Sequence, residues 1–533
     1  MRNYFSGPGL FLQRNERFVF VFLIFVFAFP VLWFPIFPTL DGPSHLYNAR
    51  LMHNLFFHAG GTTNTFFKLN PALMPNSSGH FLLMIFQEVL PSLWAEKFLQ
   101  LIILIFLPLS FRKFVLTVHP GKPISSWLIF PLLYSFVFYL GFYNFCFAMI
   151  LFFVSLSYWI RKYVNLTWKN CILLSALFLA VFLSHLLVLA FLLSAIGIYM
   201  LVSQFRTGNP GKALTDILRM AWMLSLSLLP VIFFGLPFIK SFGQNSQTIF
   251  LDYSELWMWL WRGRTLIVFN VMDEIPFTIA LMFLYACLLF LVVWERFRKL
   301  RTVSDNTARQ ALNTPASNAT FIMALFFLLL YWILPDSMSS GEFISERIQL
   351  FSLLFIAANV PTIIQHRKMS VAILFLLIFI SEAGLFITNL PKIASLSQKA
   401  QVYYDLGKEL KGGSCILPVN KENAWFQVHL CNYMGAEGDR VVLQNYEATR
   451  GYFPVQWKSN FDPVQSLGIS ESANGCWRFD TYENLSGKKI DYIVLNDEGE
   501  WSNDSCTTRL REIIAEQFVL KNKQSNLVVY TRK

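Results

Sequence analysis

The strongest constraint on this 533-residue chain is a succession of long apolar runs, the first being "RFVFVFLIFVFAFPVLWFPIF" at 17–37. A bilayer core about 30 Å thick is crossed by about 20 apolar residues in a helix. Helices also satisfy their own backbone hydrogen bonds, which lipid cannot do for them. Further runs lie at 95–111, 126–140, 142–160, 170–184, 186–204, 218–238, 276–294, 319–334, 347–364 and 370–389. Together they predict a polytopic α-helical membrane protein of about eleven transmembrane helices. The stretch 170–204 is too long for one helix and is divided at Ser184–His185. Composition agrees: charged residues are 14% of the chain and mean hydropathy is +0.48, whereas a soluble domain is about one quarter charged. The first run lacks a small-residue cleavage site and reads as an anchor.

The net charge of +11 does not point to a nucleic-acid partner, because of where it sits. From residue 390 onward the chain holds 17 Lys and Arg against 17 Asp and Glu, so the excess belongs to the apolar part. There the basic residues fall on alternate loops: Arg2, Arg14 and Arg17; Arg112, Lys113 and Lys122; Arg161, Lys162 and Lys169; Arg206, Lys212 and Arg219; "ERFRKLR" through Arg309; Arg367 and Lys368. The opposite loops carry Asp41, Glu88, Asp252, Glu255, Asp273, Glu274, Asp336 and Glu342. This asymmetry predicts a cytoplasmic N-terminus and an extracytoplasmic C-terminal segment, with a bacterial inner membrane as the expected location.

Two domains are expected: a membrane domain over 1–390, with a first outer loop at 38–94, and a soluble domain over 395–533. In the latter, "SCILPV", "RVVLQNY", "DYIVLN" and "NLVVYTR" read as strands and "TTRLREIIAEQF" as a helix, which predicts an α/β or α+β fold. The outer loop contains "GHFLLMIFQEVL", amphipathic and too short to span. Cys146, Cys171 and Cys287 lie in apolar runs. Cys415, Cys431, Cys476 and Cys506 lie in the C-terminal segment, where an even number suggests two disulfides. Proximity in sequence favours Cys415–Cys431 and Cys476–Cys506.

Few residues could carry chemistry. Asp41, in "PTLDGPSHLYNA", stands where the chain leaves the first apolar run. It reads either as a general base or as a helix cap with Pro43 in the first turn. His45 shares its face if the segment is helical. Arg347 reads as a clamp for an anionic phosphate, as a snorkelling anchor, or as a partner for Glu346 or Glu342. Glu382, inside the last run, reads as half of a buried ion pair with Arg347, or as catalytic. Arg262 and Arg264 in "LWRGRT" are weaker phosphate candidates. His80 and His185 are weak candidates for a divalent metal, without ligand spacing to support them. "NYEATRGYFPVQW" could stack on sugar rings or form a core strand and turn.

The layout resembles the GT-C superfamily of membrane glycosyltransferases, which includes protein O-mannosyltransferases and the aminoarabinose transferase for lipid A. The likeness lies in a cytoplasmic start, an aspartate opening a long outer loop, short paired spans, an arginine near the outer end of a late span and an outer C-terminal α/β domain. Of motifs only "DGPSH" matches. Asp41 stands for the family's aspartate, Gly42 replaces a frequent second acid, and His45 approximates a following histidine. The resemblance implies transfer of a sugar from a polyprenyl-phosphate-linked donor to a hydroxyl of a glycan, lipid or protein on the outer face of the cell envelope. Asp41, with His45, would serve as catalytic residues. Arg347 and Arg264 would bind the donor phosphate, with room for a divalent metal. The alternatives are a flippase or transporter for lipid-linked sugars and a non-catalytic assembly protein. No P-loop or dinucleotide fingerprint is present.

Overall fold

The computed structural model describes residues 15–533 apart from 59, 205–209, 242–247, 303–313, 339–340, 365–367, 421–423, 469–475 and 497–503. Arg2, Arg14, Arg206, Arg309 and Arg367, which the charge pattern invoked, lie outside the described residues.

Among the described residues, nine helices are long and apolar enough to cross a membrane. The break expected at Ser184–His185 is present. One helix covers Trp168–Ser184, His185 is extended, and the next helix covers Leu186–Gln204. Two expected spans fall on shorter elements. Trp168–Ser184 has 17 residues, about 25 Å at 1.5 Å per residue. The expected span 126–140 is a 3₁₀ helix, Pro123–Leu132, followed by a single turn, Phe136–Tyr139. Pro131, inside the element, accounts for the change, since proline lacks a donor and clashes with the preceding helical turn.

The chain forms two compact units. The first comprises the described residues of Met1–Pro30, Leu101–Tyr139 and Phe145–Leu390. The second comprises Val31–Gln100, Leu140–Asn144 and Pro391–Lys533. The break after Leu390 falls at the expected division, but Val31–Gln100 and Leu140–Asn144 group with the C-terminal segment, whereas the outer loop was expected in the membrane domain.

In the first unit, Ile344–Asn359 is buried along its whole length. Phenylalanine supplies its packing: Phe351 lies 6.1 Å from Phe145, 5.1 Å from Phe152, 5.0 Å from Phe191 and 5.2 Å from Phe327, centroid to centroid. The first three of these pairs are edge to face and the fourth is tilted by 31°, contacts that give specific geometry where lipid offers no hydrophobic drive between helices.

The second unit opens with α1, Gly42–Phe57, then β1, Phe67–Leu69, and α2, Ser78–Gln87. Its C-terminal part contributes β2, Cys415–Asn420; β3, Val441–Val442; the short α3, Tyr446–Thr449; β4, Val455–Trp457; β5, Tyr492–Asn496; α4, Ser505–Gln517; β6, Phe518–Gln524; and β7, Leu527–Arg532. A five-stranded sheet has the order β3-β2-β5-β7-β6, with β2 parallel to both β3 and β5, and β7 antiparallel to β5 and β6. The central β2 and β5 are buried at every position, as apolar runs inside a covered sheet should be. The four strands read from sequence are present, joined by β6. The helix at Ser505 is capped by Asp504, which accepts from the Thr507 amide at 2.7 Å.

β1 pairs antiparallel with β4, Phe67 opposite Trp457 and Leu69 opposite Val455, and the Phe67 and Trp457 rings lie 4.1 Å apart. The outer loop and the C-terminal segment therefore share a ladder. Of the expected disulfides, Cys476–Cys506 forms. Cys415–Cys431 does not, and both thiols are buried. Cys415 opens β2, its sulfur 3.8 Å from the Tyr482 hydroxyl, whereas Cys431 sits in a 3₁₀ turn and donates to Gln444 Oε1 at 3.3 Å. The two sulfurs serve different packing environments despite their nearness in sequence.

Candidate functional site

The site grows from α1. This helix is nearly all buried, yet its first turns carry Ser44, His45 and Asn48. Buried polar groups need partners, and the C-terminal segment provides them. Asn48 and Asn445 exchange amide hydrogen bonds of 2.9 and 3.0 Å. Asn432 donates to Ser44 at 2.8 Å. The Tyr47 hydroxyl donates to the Arg440 carbonyl at 3.0 Å and accepts from the Val442 amide at 2.9 Å. α1 is fastened along its length to 432–445.

Asp41 is the N-cap residue of α1, followed by Pro43 in the first turn, but its side chain makes no capping hydrogen bond. Only 8% exposed, its carboxylate faces His429, whose Nε2 lies 3.7 Å from Oδ1, and it accepts from the Tyr446 hydroxyl. Gln444 donates to His429 Nδ1 at 2.9 Å, so the proton of a neutral His429 sits on Nε2, toward Asp41. Tyr446 stacks on the same imidazole at 4.4 Å. Burial lowers the His429 pKa to about 4, so the ring is neutral at pH 7.

One turn on, His45 donates from Nε2 to the Gly141 carbonyl at 3.0 Å. Its Nδ1 lies 2.6 Å from Glu447 Oε1, and His80 Nε2 lies 2.8 Å from Glu447 Oε2. The two rings meet edge to face at 4.7 Å. Burial alone would raise the Glu447 carboxyl, but the two imidazoles hold it down to about 2. Burial likewise opposes charge on His45, and the Glu447 carboxylate outweighs it, so the His45 pKa is raised. For His80 burial prevails over the same carboxylate and the pKa is lowered. The ligand atoms of these three residues lie within 4.8 Å of one another, the one such grouping of three or more among the described residues.

Position 42 leaves no room for a side chain. A Cβ there would collide with Glu96 Oε1 and Thr39 Oγ1 and lie 2.7 Å from the Tyr143 hydroxyl. The space belongs to Glu96, brought from the helix Ser92–Val118. Its two oxygens accept from Tyr143 and Tyr433, each at 2.9 Å. Gly141, with φ +75°, brings the backbone so close that a Cβ would lie 2.8 Å from the Gly42 nitrogen.

The residues expected to act divide between the units. Asp41, His45 and His80 belong to the second. Arg347, Arg264, Glu382 and His185 belong to the first. Arg347 is buried, and because guanidinium only donates, His185 Nε2 accepts its Nη1 at 3.0 Å. His185 is thus a partner of Arg347 and lies outside the His45–His80–Glu447 grouping. Arg264 pairs with Glu346 at 3.5 Å and lies over the Phe136 ring at 4.2 Å. The expected Glu382–Arg347 pair does not form among the described residues. The acids around Arg347 are Glu346, Asp336 and Glu342, while Glu382 lies near the tyrosines Tyr134, Tyr139 and Tyr285, and its Oε2 has no hydrogen-bond partner.

Glu447, His429, Tyr446 and Glu96 were not singled out from the sequence. Glu447 and Tyr446 lie in "NYEATRGYFPVQW", where the aromatic residues drew the reading toward sugar stacking or a core strand. The stretch instead delivers a carboxylate and a phenol to α1, through a cap in which the Asn445 side chain accepts from the Ala448 amide at 3.3 Å. No known protein family matches the chain, and no curated protein matches it in sequence.

Proposed function

We propose that the chain is an integral-membrane glycosyltransferase moving a sugar from a polyprenyl-phosphate donor to an acceptor hydroxyl, with Asp41 as general base. The observation that carries this reading is the orientation of Asp41. A cap bond stabilises a helix by about 1 kcal/mol, yet this N-cap carboxylate forgoes it and is held instead by His429 and Tyr446. The Tyr446 hydroxyl donates to that carboxylate and turns it away from the helix amides.

In the proposed reaction the acceptor oxygen attacks the anomeric carbon and its proton passes to Asp41. The bond from that carbon to the lipid phosphate breaks, and its electron pair leaves on the phosphate oxygen. Stabilising that charge calls for cationic groups beside the phosphate. The outer face and the inner membrane remain part of the proposal, drawn from the charge asymmetry of the loops.

The test uses the purified chain in lipid nanodiscs with a polyprenyl-phosphate-linked sugar. Asp41→Asn keeps the shape and removes the base. Transfer should fall by about 10²-fold or more while donor binding persists. Wild-type turnover by Asp41→Asn would refute the reading and favour a non-catalytic assembly protein.

A further inference from the structure

The geometry points to a site for a first-row divalent cation, with Zn²⁺ as its natural probe, formed by His45 Nδ1, His80 Nε2 and Glu447. The argument starts from the Gly141 carbonyl. A carbonyl only accepts, so the hydrogen bond at 3.0 Å puts a proton on His45 Nε2. That leaves Nδ1 facing Glu447 Oε1 at 2.6 Å, in a place closed to water, His45 5% and Glu447 0% exposed. The gap is filled either by a proton on Nδ1 or by a metal ion that takes the nitrogen lone pair and the carboxylate together.

The surrounding chemistry favours a cation. A metal-ligating histidine characteristically donates its other ring N–H to a carbonyl or carboxylate, which fixes the tautomer and aims the lone pair. Gly141 does this for His45. Two imidazole nitrogens and one carboxylate are the donor set that suits zinc and its neighbours, whereas calcium and magnesium prefer oxygen alone. Three protein ligands leave a fourth position for an oxygen ligand, the open arrangement of catalytic zinc sites. The carboxylate of Asp41, one turn before His45, adds a second negative charge nearby. Ligands of a tetrahedral zinc stand about 3.3 Å apart at bond lengths of about 2.0–2.1 Å. Loading therefore separates His45 from Glu447 by a fraction of an ångström, within reach of side-chain rotation. The three ligands arise from α1, α2 and α3, so the ion would tie the outer loop to the C-terminal segment.

The test reads metal, not turnover, and so stands apart from the glycosyltransferase proposal. The full chain is purified in detergent, stripped with chelator, equilibrated with micromolar Zn²⁺, desalted and measured by elemental mass spectrometry. One ion per chain is expected for wild type and for His185→Gln. Glu447→Gln and His80→Gln should each bind at least tenfold more weakly. Zn²⁺ should also raise the thermal midpoint of the wild type but not of these two variants, and size-exclusion chromatography shows that each is folded. If only a proton occupies the gap, stripped wild type will retain no zinc and gain no thermal stability. That result, or full retention by folded Glu447→Gln and His80→Gln, overturns the proposal.

Discussion

Replacing Gly42 by alanine is the sharpest test of how the site is built. At the first position of a helix the change should ordinarily help, by up to about 1 kcal/mol. Here the added methyl enters the space of Glu96 Oε1 and Thr39 Oγ1 and lies 2.7 Å from the Tyr143 hydroxyl. These atoms are side-chain ends, but they are not free to swing. Tyr143 is bonded to Thr39 at 2.8 Å, to Glu96 at 2.9 Å and to Gln100 at 2.7 Å, and the other Glu96 oxygen is held by Tyr433. Overpacking of this kind costs about 1–3 kcal/mol. Losing one hydrogen bond to a buried charged group costs about 1.5–3 kcal/mol more. After the helix gain is subtracted, the net destabilisation is about 3 kcal/mol. For a unit of this size that corresponds to roughly 6–12 °C in thermal midpoint, measured by differential scanning fluorimetry in detergent. Gly451→Ala, where a Cβ would meet nothing within 4 Å, serves as control. A Gly42→Ala protein that melts at or above the wild-type midpoint would show that Glu96 does not occupy this space.

The remaining predictions concern titration, thiols and the buried acid. His429 has its pKa depressed from 6.5 to about 4, so between those values the unfolded chain binds the proton first and stability falls as pH falls. The loss approaches about 3 kcal/mol at pH 4, and His429→Gln should flatten that part of the stability–pH curve; equal slopes for the two proteins would contradict it. Under denaturing, non-reducing conditions maleimide should label Cys415 and Cys431 but not Cys476 or Cys506, as read by peptide mass spectrometry. Glu382→Gln should leave the thermal midpoint within about 1 °C of wild type, because no ion pair is broken, whereas breaking a buried pair costs about 3–5 kcal/mol. A fall of 6 °C or more would restore the pairing with Arg347.

The membrane part was legible because its signal is local. Twenty apolar residues in a row leave few options, and even the break at Ser184–His185 follows from length. The same signal misled at 126–140, where hydropathy counts side chains and does not register Pro131 as a missing donor. The strands beginning at Cys415, Tyr492 and Leu527 were legible for a similar reason, being short β-branched runs between turn residues. β6, "FVLKNKQ", was not, because most of its residues face solvent and only its pairing with β7 makes it a strand.

The site was legible only where it is contiguous. Asp41 and His45 stand one helical turn apart, and that spacing alone suggested a common face. Their partners are supplied from 80, 96, 429 and 447, and no spacing rule joins such positions. A carboxylate such as Glu447, in "NYEATR", has the surroundings of an ordinary helix cap until folding sets it between two histidines. Pairing of β1 with β4, register Leu69 to Val455, lays 67–69 alongside 455–457, and α2 and α3 follow from that alignment. His80 then reaches Glu447, which sits in the short helix that Asn445 caps. Two consequences follow for α1. Its buried Ser44, His45 and Asn48 would be costly in a helix without the C-terminal segment, so the outer loop and that segment must order together. The Asp41 orientation depends on His429 and Tyr446 in the same way, which makes the proposed base a product of tertiary structure and not of the "DGPSH" motif alone.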